Sequence, residues 1–286
     1  MKESNGSMVR RKRLGSELRR HREAAKKSIE DAAARLECSI SKISRMETGK
    51  VPMRARDVGD LLELYGVTDG HVREELADMA RETLAKGWWH SFNDVLPQRL
   101  DTYLGLENDA ARLHRYDTQL VPGFLQNEGY ARAVIRASYP NAPEMDIDRR
   151  VAARMARQSI LTRESPPEIW VVLDEAVIRR PVGDNETMAV QLNRLVDVSK
   201  QPGTMVLVLP FSVGAHPSMG TSFSILGFPD DADPDVVYLE QITSSLYAEK
   251  PGDVAAYRLV FQHLCAMALD PVASRALITR VAREFA

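Results

Sequence analysis

The chain has 286 residues, of which 44% are hydrophobic and 27% charged, with a formal net charge of −2. This length allows two domains with separate cores, and the composition is not that of a disordered protein. No apolar run approaches the roughly 20 residues of a membrane-spanning helix, and residues 1–13 lack the apolar segment of a signal peptide. The two cysteines, Cys38 and Cys265, lie far apart in helical patterns, which favours buried thiols over a disulfide or metal pair. We therefore expect a cytoplasmic protein without a membrane anchor.

The small net charge hides an asymmetry along the chain. Residues 1–60 carry 16 Lys and Arg against 9 Asp and Glu, whereas the remaining residues carry 22 against 31. A basic segment gains counterion-release energy from phosphates, while an acidic segment is repelled by nucleic acid. The composition thus predicts a nucleic-acid contact at the N-terminal end and a different partner for the rest.

The first residues show no helical or strand periodicity. Residues 1–13 include Arg10, Arg11, Lys12 and Arg13, and this predicts a flexible basic arm, either lying along nucleic-acid phosphates or in the minor groove, or without a role. From Leu14 to about Ala25 the spacing predicts a first helix.

Two short helices joined by a tight turn follow. Ser28 begins the first of them with a capping box, in which its hydroxyl accepts from the amide near Asp31 and the Asp31 carboxylate accepts from the Ser28 amide. Ser39 caps the next helix, whose first-turn amides suit a phosphate. At about 100° per residue, Ile43 and Met46 point inward and the polar residues point out. This is the pattern of a helix-turn-helix with an exposed recognition helix.

The outward residues have side chains that can contact bases or phosphates. Arg45 can bond guanine bidentately, the serines can donate or accept, and Ile40 can touch a thymine methyl, whereas Lys42 and Lys50 suit phosphates. The predicted DNA-binding residues are Ser28, Ser39, Ile40, Ser41, Lys42, Ser44, Arg45 and Lys50. For each of them alone, a solvated surface role is the alternative.

The segment 14–66, with Ser-Lys-Ile-Ser-Arg-Met-Glu-Thr-Gly at its centre, resembles the xenobiotic-response-element (Cro/repressor-like) helix-turn-helix family. The resemblance implies an all-α five-helix domain that continues through residues 57–66 and 72–84. Two departures bear on recognition. Glu37 stands where the family usually has glycine, so it takes a left-handed conformation at about 1 kcal/mol or the turn has another shape. Ile29 and Ile40 stand where glutamine is common, which removes a contact to adenine.

The second half mixes helices and strands. Periodicity predicts helices at 128–137, 147–163 and 186–200 and two terminal helices, with strands at 169–173, 204–209, 222–228, 236–241 and 245–248. The expected fold is an α/β or α+β domain with a mixed sheet. The predicted division is an arm at 1–13, the helix-turn-helix domain at 14–86, a junction at 87–100 and a C-terminal domain at 101–286.

This half also resembles a family, through the motifs Leu-Val-Pro-Gly-Phe-Leu-Gln at 120–126, Arg-Arg-Pro-Val-Gly at 179–183 and Val-Leu-Pro-Phe-Ser-Val-Gly-Ala-His-Pro at 208–217. They are similar to the C-terminal domain of unknown function found beside this helix-turn-helix in actinobacterial regulators. The resemblance implies a transcription factor of the sporulation and antibiotic-control type, often encoded next to a small partner protein. It implies no ligand for the domain.

Several polar residues of this domain are candidates for chemistry or binding. Strand ends and the loops after them often carry sites, and the residues placed there are Asp174, Glu175, Arg179, Arg180, His216 and Glu240. No nucleophile elbow, phosphate-binding glycine loop or metal-ligand spacing accompanies them. Arg150, Arg154 and Arg157 share one helical face and suit an anionic ligand or an acidic partner, unless they form a solvated face paired with Asp146 and Asp148.

Together these features predict a DNA-binding transcriptional regulator, not an enzyme, that binds a pseudo-palindromic operator as a homodimer. The C-terminal domain is expected to receive a small-molecule or protein signal. Two alternatives remain open: an enzyme of unknown reaction tethered to DNA, and a docking platform for a small partner protein. No cofactor or metal is predicted, and double-stranded DNA is the expected macromolecular partner.

Overall fold

The computed structural model describes residues 8–84, 87–230 and 233–286. They form two compact units. The first contains the described residues up to His90 together with Leu100–Asp109, and the second contains Ser91–Arg99 and Ala110–Ala286. Residues 101–109, which the sequence analysis assigned to the C-terminal domain, thus group with the first unit, and residues 91–99 of the predicted junction group with the second.

The first unit is helical. Its helices are α1 Met8–Ala24, α2 Ile29–Arg35, α3 Ile40–Glu47, α4 Ala55–Leu64, α5 Gly70–Leu84 and, from Leu100 onward, α6 Gln98–Asp109. A 3-10 helix at Trp88–Phe92 contributes its residues up to His90. Residues at helical spacing supply one core, which includes Leu14, Leu18, Ile43, Met46, Val58, Leu62, Leu76 and Ala80. The all-α N-terminal domain is thus as expected.

The predicted basic arm is wrong for residues 8–13, which belong to α1. Arg11 is buried, Arg10 pairs with Glu82 at 2.7 Å, and Arg13 lies 3.6 Å from Glu75. The carboxylates of α5 thus hold this basic run in a helix, which the local charge pattern alone cannot reveal. The rest of the predicted arm, residues 1–7, lies outside the described residues.

Glu37, in the turn between α2 and α3, stands where related domains usually have glycine. Its φ is +48°, so a non-glycine residue adopts the left-handed conformation here. Lys26, in the turn before α2, does the same at φ +54°. Both conformations bring a Cβ close to the backbone, at a cost of about 1–2 kcal/mol per residue.

We expect Glu37→Gly to raise the free energy of unfolding by about 0.5–1 kcal/mol, because glycine adopts positive φ without this clash. Chemical denaturation of the full chain measures the change. Glu30→Gly is the matched control, since it removes the same side chain inside helix α2 and should be destabilising by a similar amount. A Glu37→Gly variant less stable than the parent would contradict the prediction.

The second unit is built on a mixed sheet. Its strands are β1 Arg112–Asp117, β2 Glu168–Asp174, β3 Thr204–Leu209, β4 Phe223–Gly227, β5 Val236–Glu240 and β6 Ser245–Ala248. Within the described residues the strand order is β3-β2-β1-β4-β5-β6. Strands β1, β2 and β3 are parallel neighbours, and β4, β5 and β6 continue antiparallel. The expected mixed sheet is confirmed.

Helices cover and flank this sheet. They are α7 Glu128–Ser138, α8 Glu144–Ala156, α9 Glu175–Arg179, α10 Asn185–Val198, α11 Pro251–Met267 and α12 Pro271–Glu284, with 3-10 helices at Gly123–Leu125, Arg157–Leu161 and Phe211–Val213. The helix predicted at 147–163 is therefore two elements, because α8 gives way to a 3-10 helix at Arg157. No helix in the described ranges is long and apolar enough to cross a membrane.

Strand β1, which the sequence did not predict, places side chains on both faces of the sheet. Tyr116 belongs to the apolar core that also contains Phe223 and Phe261. Arg115 is paired in register with Ser224, and Ser224 with Tyr238, so these three side chains share the opposite face. Arg115, Ser224 and Tyr238 thus lie side by side on the second face, next to buried apolar residues such as Leu113 and Leu226.

Candidate functional site

Helices α2 and α3 are held by side-chain caps. The Ser28 hydroxyl accepts from the Asp31 amide at 3.0 Å, and the Asp31 carboxylate accepts from the Ser28 amide at 2.8 Å, as predicted. Hydrogen bonds donated to the carboxylate by Ser28, first from its amide and then from its hydroxyl, lower the pKa of Asp31. At the start of α3, the Ser39 hydroxyl accepts from the Lys42 amide at 3.2 Å. The caps fix where each helix begins and thus which side chains point outward.

Helix α3, predicted to be the recognition helix, has the predicted buried and exposed sides. Ile43 and Met46 are each 1% exposed, whereas Ile40 is 49% exposed. The predicted DNA-binding residues are all exposed: Ser28, Ser39, Ile40, Ser41, Lys42, Ser44, Arg45 and Lys50. The Arg45 Nε donates weakly to the Ser41 carbonyl at 3.4 Å, and its side chain lies over the outer face of α3.

A buried ion pair ties α3 to α1. Arg22 Nε and Nη2 donate to the two carboxylate oxygens of Glu47 at 2.6 and 3.0 Å, and Nη1 donates to the Lys27 carbonyl at 3.0 Å. The hydrogen bond to Glu47 raises the pKa of Arg22. Burial, and then the nearby Glu47 charge, raise the pKa of Tyr65 to about 12, so the phenol beside this pair stays neutral. The sequence analysis missed the pair because its members are 25 residues apart.

The backbones of α1 and α3 also approach each other closely. A Cβ added to Gly15, in α1, would lie 2.5 Å from the carbonyl oxygens of Met46 and Glu47. Only glycine lets the two helices approach this closely, so α1 supports the last turn of α3 directly. The orientation of the recognition helix therefore depends on Gly15 and on the Arg22–Glu47 pair.

The candidate residues of the second unit do not form one site. Asp174 ends β2, and its carboxylate lies 4.0 Å from His216 Nε2. That nitrogen is 3.2 Å from the Tyr116 hydroxyl, while His216 Nδ1 accepts from the Ser218 amide. Burial and the Asp174 carboxylate both raise the pKa of Tyr116, so this phenol stays protonated. These three groups form one hydrogen-bonded cluster at the strand ends.

Glu175 and its neighbours have local roles. The Glu175 carboxylate accepts from Arg179 Nε at 2.6 Å and from the Phe211 amide at 2.8 Å. Arg179 also lies 3.2 Å from Glu284 of α12. Arg180 is exposed at the end of α9. The contacts of Glu175 and Arg179 join α9 to the 3-10 helix at Phe211 and to α12.

Arg154 and Arg157 meet at the turn that contains Gly123. Arg157 Nη1 lies 2.9 Å, and Arg154 Nε 3.5 Å, from the position that a Cβ on Gly123 would take. Burial, followed by the Arg157 charge, lowers the pKa of Arg154 to about 10, and Glu240 opposes the shift. Arg150, one turn earlier, stacks on the Tyr139 ring at 3.9 Å. Asp148, its expected partner on a solvated face, instead pairs with Arg132.

Neutral glutamine side chains bind Arg154 and the neighbouring Arg194. Arg154 Nη1 donates to Gln126 Oε1 at 2.8 Å, and Gln158 Nε2 donates to the Gln126 carbonyl at 2.5 Å. Arg194 then donates to Gln158 Oε1 at 2.6 Å and to the Leu125 carbonyl at 3.1 Å. The 120–126 motif is thus the scaffold of an arginine cluster, which we define as Arg154, Arg157 and Arg194 with Gln126 and Gln158.

Two other residues near the cluster were missed by the sequence analysis. Arg115 binds the Asp117 carboxylate through Nε and Nη2, at 2.9 and 2.8 Å. Tyr238 has a pKa raised mainly by burial and then by Glu240, while Arg115 and Arg157 act in the opposite direction. Both lie on strands, and only the register of the sheet shows that their side chains share one face.

Comparison with protein families matches most of the chain. Residues 13–76 match the family model of a helix-turn-helix domain, and residues 100–280 match that of a domain of unknown function, DUF5753. No curated protein and no solved structure gives a significant match. The first match covers the caps and the recognition helix, and the second covers the sheet and the arginine cluster.

Proposed function

Because the chain belongs to the DUF5753 family and carries a helix-turn-helix domain, we propose that it is a sequence-specific, DNA-binding transcriptional regulator. We place its DNA-binding domain among the xenobiotic-response-element (Cro/repressor-like) proteins of the actinobacterial type, acting in the cytoplasm. The observation that carries the proposal is the exposed outer face of α3, where Ser41, Ser44 and Arg45 stand clear of the core. A recognition helix of this kind enters the major groove with its polar side toward the bases.

We further propose that the protein binds a pseudo-palindromic operator as a homodimer. One recognition helix contacts only a few base pairs, and two copies supply the discrimination that a genome requires. The test is capture of genomic fragments by the full chain, followed by footprinting of the enriched sequence. Protection of two half-sites about 10 base pairs apart, centre to centre, is expected. Uniform capture of all fragments would contradict sequence-specific binding.

Lys50 follows α3 and is proposed as a phosphate contact. We expect Lys50→Ala to weaken binding to operator and to random DNA alike, and to lower the slope of log affinity against log salt by about one. Gel-shift titrations over a range of salt concentrations measure both. Lys200→Ala is the control, because it removes an equal charge from the end of α10, where Lys200 pairs with Asp197. An unchanged salt slope for Lys50→Ala would contradict the assignment.

The second domain is proposed to receive the signal that sets DNA binding. The alternatives are a small partner protein and a small molecule. The convergence of the half-buried Arg154 and Arg157 side chains on the turn at Gly123 favours the small molecule, since neighbouring guanidinium groups suit an anionic ligand.

A further inference from the structure

We propose that two copies of the chain form the homodimer through the outward side of helix α11. The inference rests on the proposed function, which requires a homodimer but names no interface. The surface, called here the α11 outer face, is centred on Leu259 and also contains Ala255, Ala256, Gln262, His263 and Ala266.

Helix α11 has an unusual distribution of side chains for a surface helix. Its inner side carries Val254, Phe261 and Leu264, which are buried in the core of the sheet. A helix that faces water on its other side normally places charged and polar residues there. At about 100° per residue, however, the apolar Leu259 lies opposite the buried residues, and its side chain is 53% exposed. The outward side is therefore built like a contact surface.

The sheet face under α11 is only partly covered by this helix. α11 crosses β3, β1, β4 and β5, and among the described α-helices it alone contributes residues to the core on this face. Six strands about 4.8 Å apart span roughly 24 Å, whereas one helix is about 10 Å wide. Leu246 on the edge strand β6, in register with the core residue Leu239, is still 56% exposed. A second layer of protein on this side would bury Leu246 as well as Leu259.

The charge of the domain indicates that this second layer is another copy of the chain. In a two-fold symmetric interface one surface meets itself, so any net charge on it faces an equal charge. Residues 61–286 carry 22 Lys and Arg against 31 Asp and Glu, and two such acidic segments repel each other over most of their surface. The α11 outer face contains no Asp, Glu, Lys or Arg. It is a surface on which two acidic copies can meet without opposing charges.

The other long helices of this unit expose charged residues. Examples are Arg136 on α7, Asp148 on α8, Glu186 on α10 and Arg283 on α12. On α11 the nearest charged residues, Asp253 and Arg258, lie about 100–120° around the helix from Leu259. Arg258 is already neutralised, because its Nε donates to the Asp235 carboxylate at 3.0 Å. Charge thus distinguishes α11 from α7, α8, α10 and α12.

The small residues around Leu259 suit a helix–helix contact. Ala255 and Ala256 lie one turn before Leu259 on the same side, and Ala266 lies two turns after it. Helices pack with their axes about 8–10 Å apart, and small side chains at the contact permit the closer distances. Leu259 of each copy can then pack against the alanines of the other. A two-fold axis near Leu259 brings this side chain close to its own copy.

The experiment is analytical ultracentrifugation of the full chain, whose mass is 32.0 kDa. We expect twice this mass at about 10 μM, a concentration that detects a micromolar Kd. Leu259→Glu places two carboxylates against each other near the axis and should weaken the dimer by at least about 100-fold. Val190→Glu is the matched control, because Val190 is 52% exposed on α10, and it should leave the mass unchanged.

A mixture of two variants separates loss of the interface from loss of the fold. Leu259→Lys alone should also be monomeric, because two cations then meet near the axis. Mixed in equal amounts, Leu259→Lys and Leu259→Glu should associate at least about tenfold more tightly than either variant alone, because opposite charges now face each other. A dimer that persists in Leu259→Glu, or a mixture that stays monomeric, would overturn the proposal.

Operator binding, measured on the same samples, distinguishes the interface from the regulator. A dimer unaffected by Leu259→Glu, in a chain that binds its operator specifically, would remove the α11 interface and leave the proposed regulator. A dimer lost in Leu259→Glu, in a chain that binds no DNA specifically, would support the interface and remove the regulator. A parent chain that is monomeric at about 10 μM would overturn the interface.

Discussion

Replacing Arg22 by Met is expected to lower the free energy of unfolding by about 3–5 kcal/mol, because it leaves the Glu47 carboxylate buried without its partner. The pair is joined by two hydrogen bonds, of 2.6 and 3.0 Å, and both side chains are less than 10% exposed. The carbonyl of Lys27 would lose a donor as well. Thermal and urea unfolding of the full chain measure the loss.

Arg19→Met is the matched control for this substitution. Arg19 lies on the same helix and pairs with Glu23 at 2.8 Å, but the side chains of both residues are exposed. Surface pairs contribute about 0–1 kcal/mol, so the control should change little. The double variant Arg22→Met/Glu47→Met should recover much of the stability, because two apolar side chains leave no uncompensated charge. An Arg22→Met variant as stable as Arg19→Met would contradict the buried role of the pair.

The helix-turn-helix could be predicted because its signals are local. Ser28 and Ser39 cap helices that begin one residue later, and the spacing of Ile43 and Met46 is enough to give the buried side of α3. Glu37 shows where local rules stop. The sequence predicted either a left-handed residue or another turn shape, and the structure shows the first. The packing of α2 and α3 outweighs this local backbone strain.

Strand β1 could not be predicted because its own residues do not show the apolar pattern of a strand. Arg112, His114 and Arg115 interrupt the apolar pattern, although the strand pairs with both β2 and β4. Strand preference depends on which neighbours each face meets, and those neighbours come from distant parts of the chain. Because β1 was not predicted, the contact between Tyr116 and His216 could not be predicted either.

The arginine cluster was predicted only in part, because its other members come from distant parts of the chain. Helical periodicity placed Arg150, Arg154 and Arg157 on one side, but it gave no information on what that side faces. Gly123 is 31 residues before Arg154, and their contact depends on how α8 folds back over the turn. The prediction for the basic run at residues 10–13 was wrong because it assumed no partners. Glu82 and Glu75 of α5 lie next to Arg10 and Arg13, and the segment is helical.

The second large effect is expected at the DNA interface. Arg45→Ala should weaken operator binding by about 1–3 kcal/mol and leave binding to random DNA much less affected, because a bidentate contact to guanine discriminates between bases. Arg45 is exposed in the last turn of α3 and makes only a weak contact with the Ser41 carbonyl. The fold therefore does not depend on it. Gel-shift titration against the captured operator and a scrambled sequence measures the ratio.

Two further variants test whether Arg45 contacts a base or a phosphate. Arg45→Lys retains the charge but loses the planar pair of donors, so it should keep affinity for random DNA while specificity falls. Arg35→Ala removes an arginine from α2 that is engaged by Asp60 and Glu63, and it should leave the ratio between operator and scrambled DNA unchanged. If Arg45→Lys discriminated as well as the parent chain, Arg45 would be a phosphate contact, and base selection would lie with Ser41, Ser44 and Ile40.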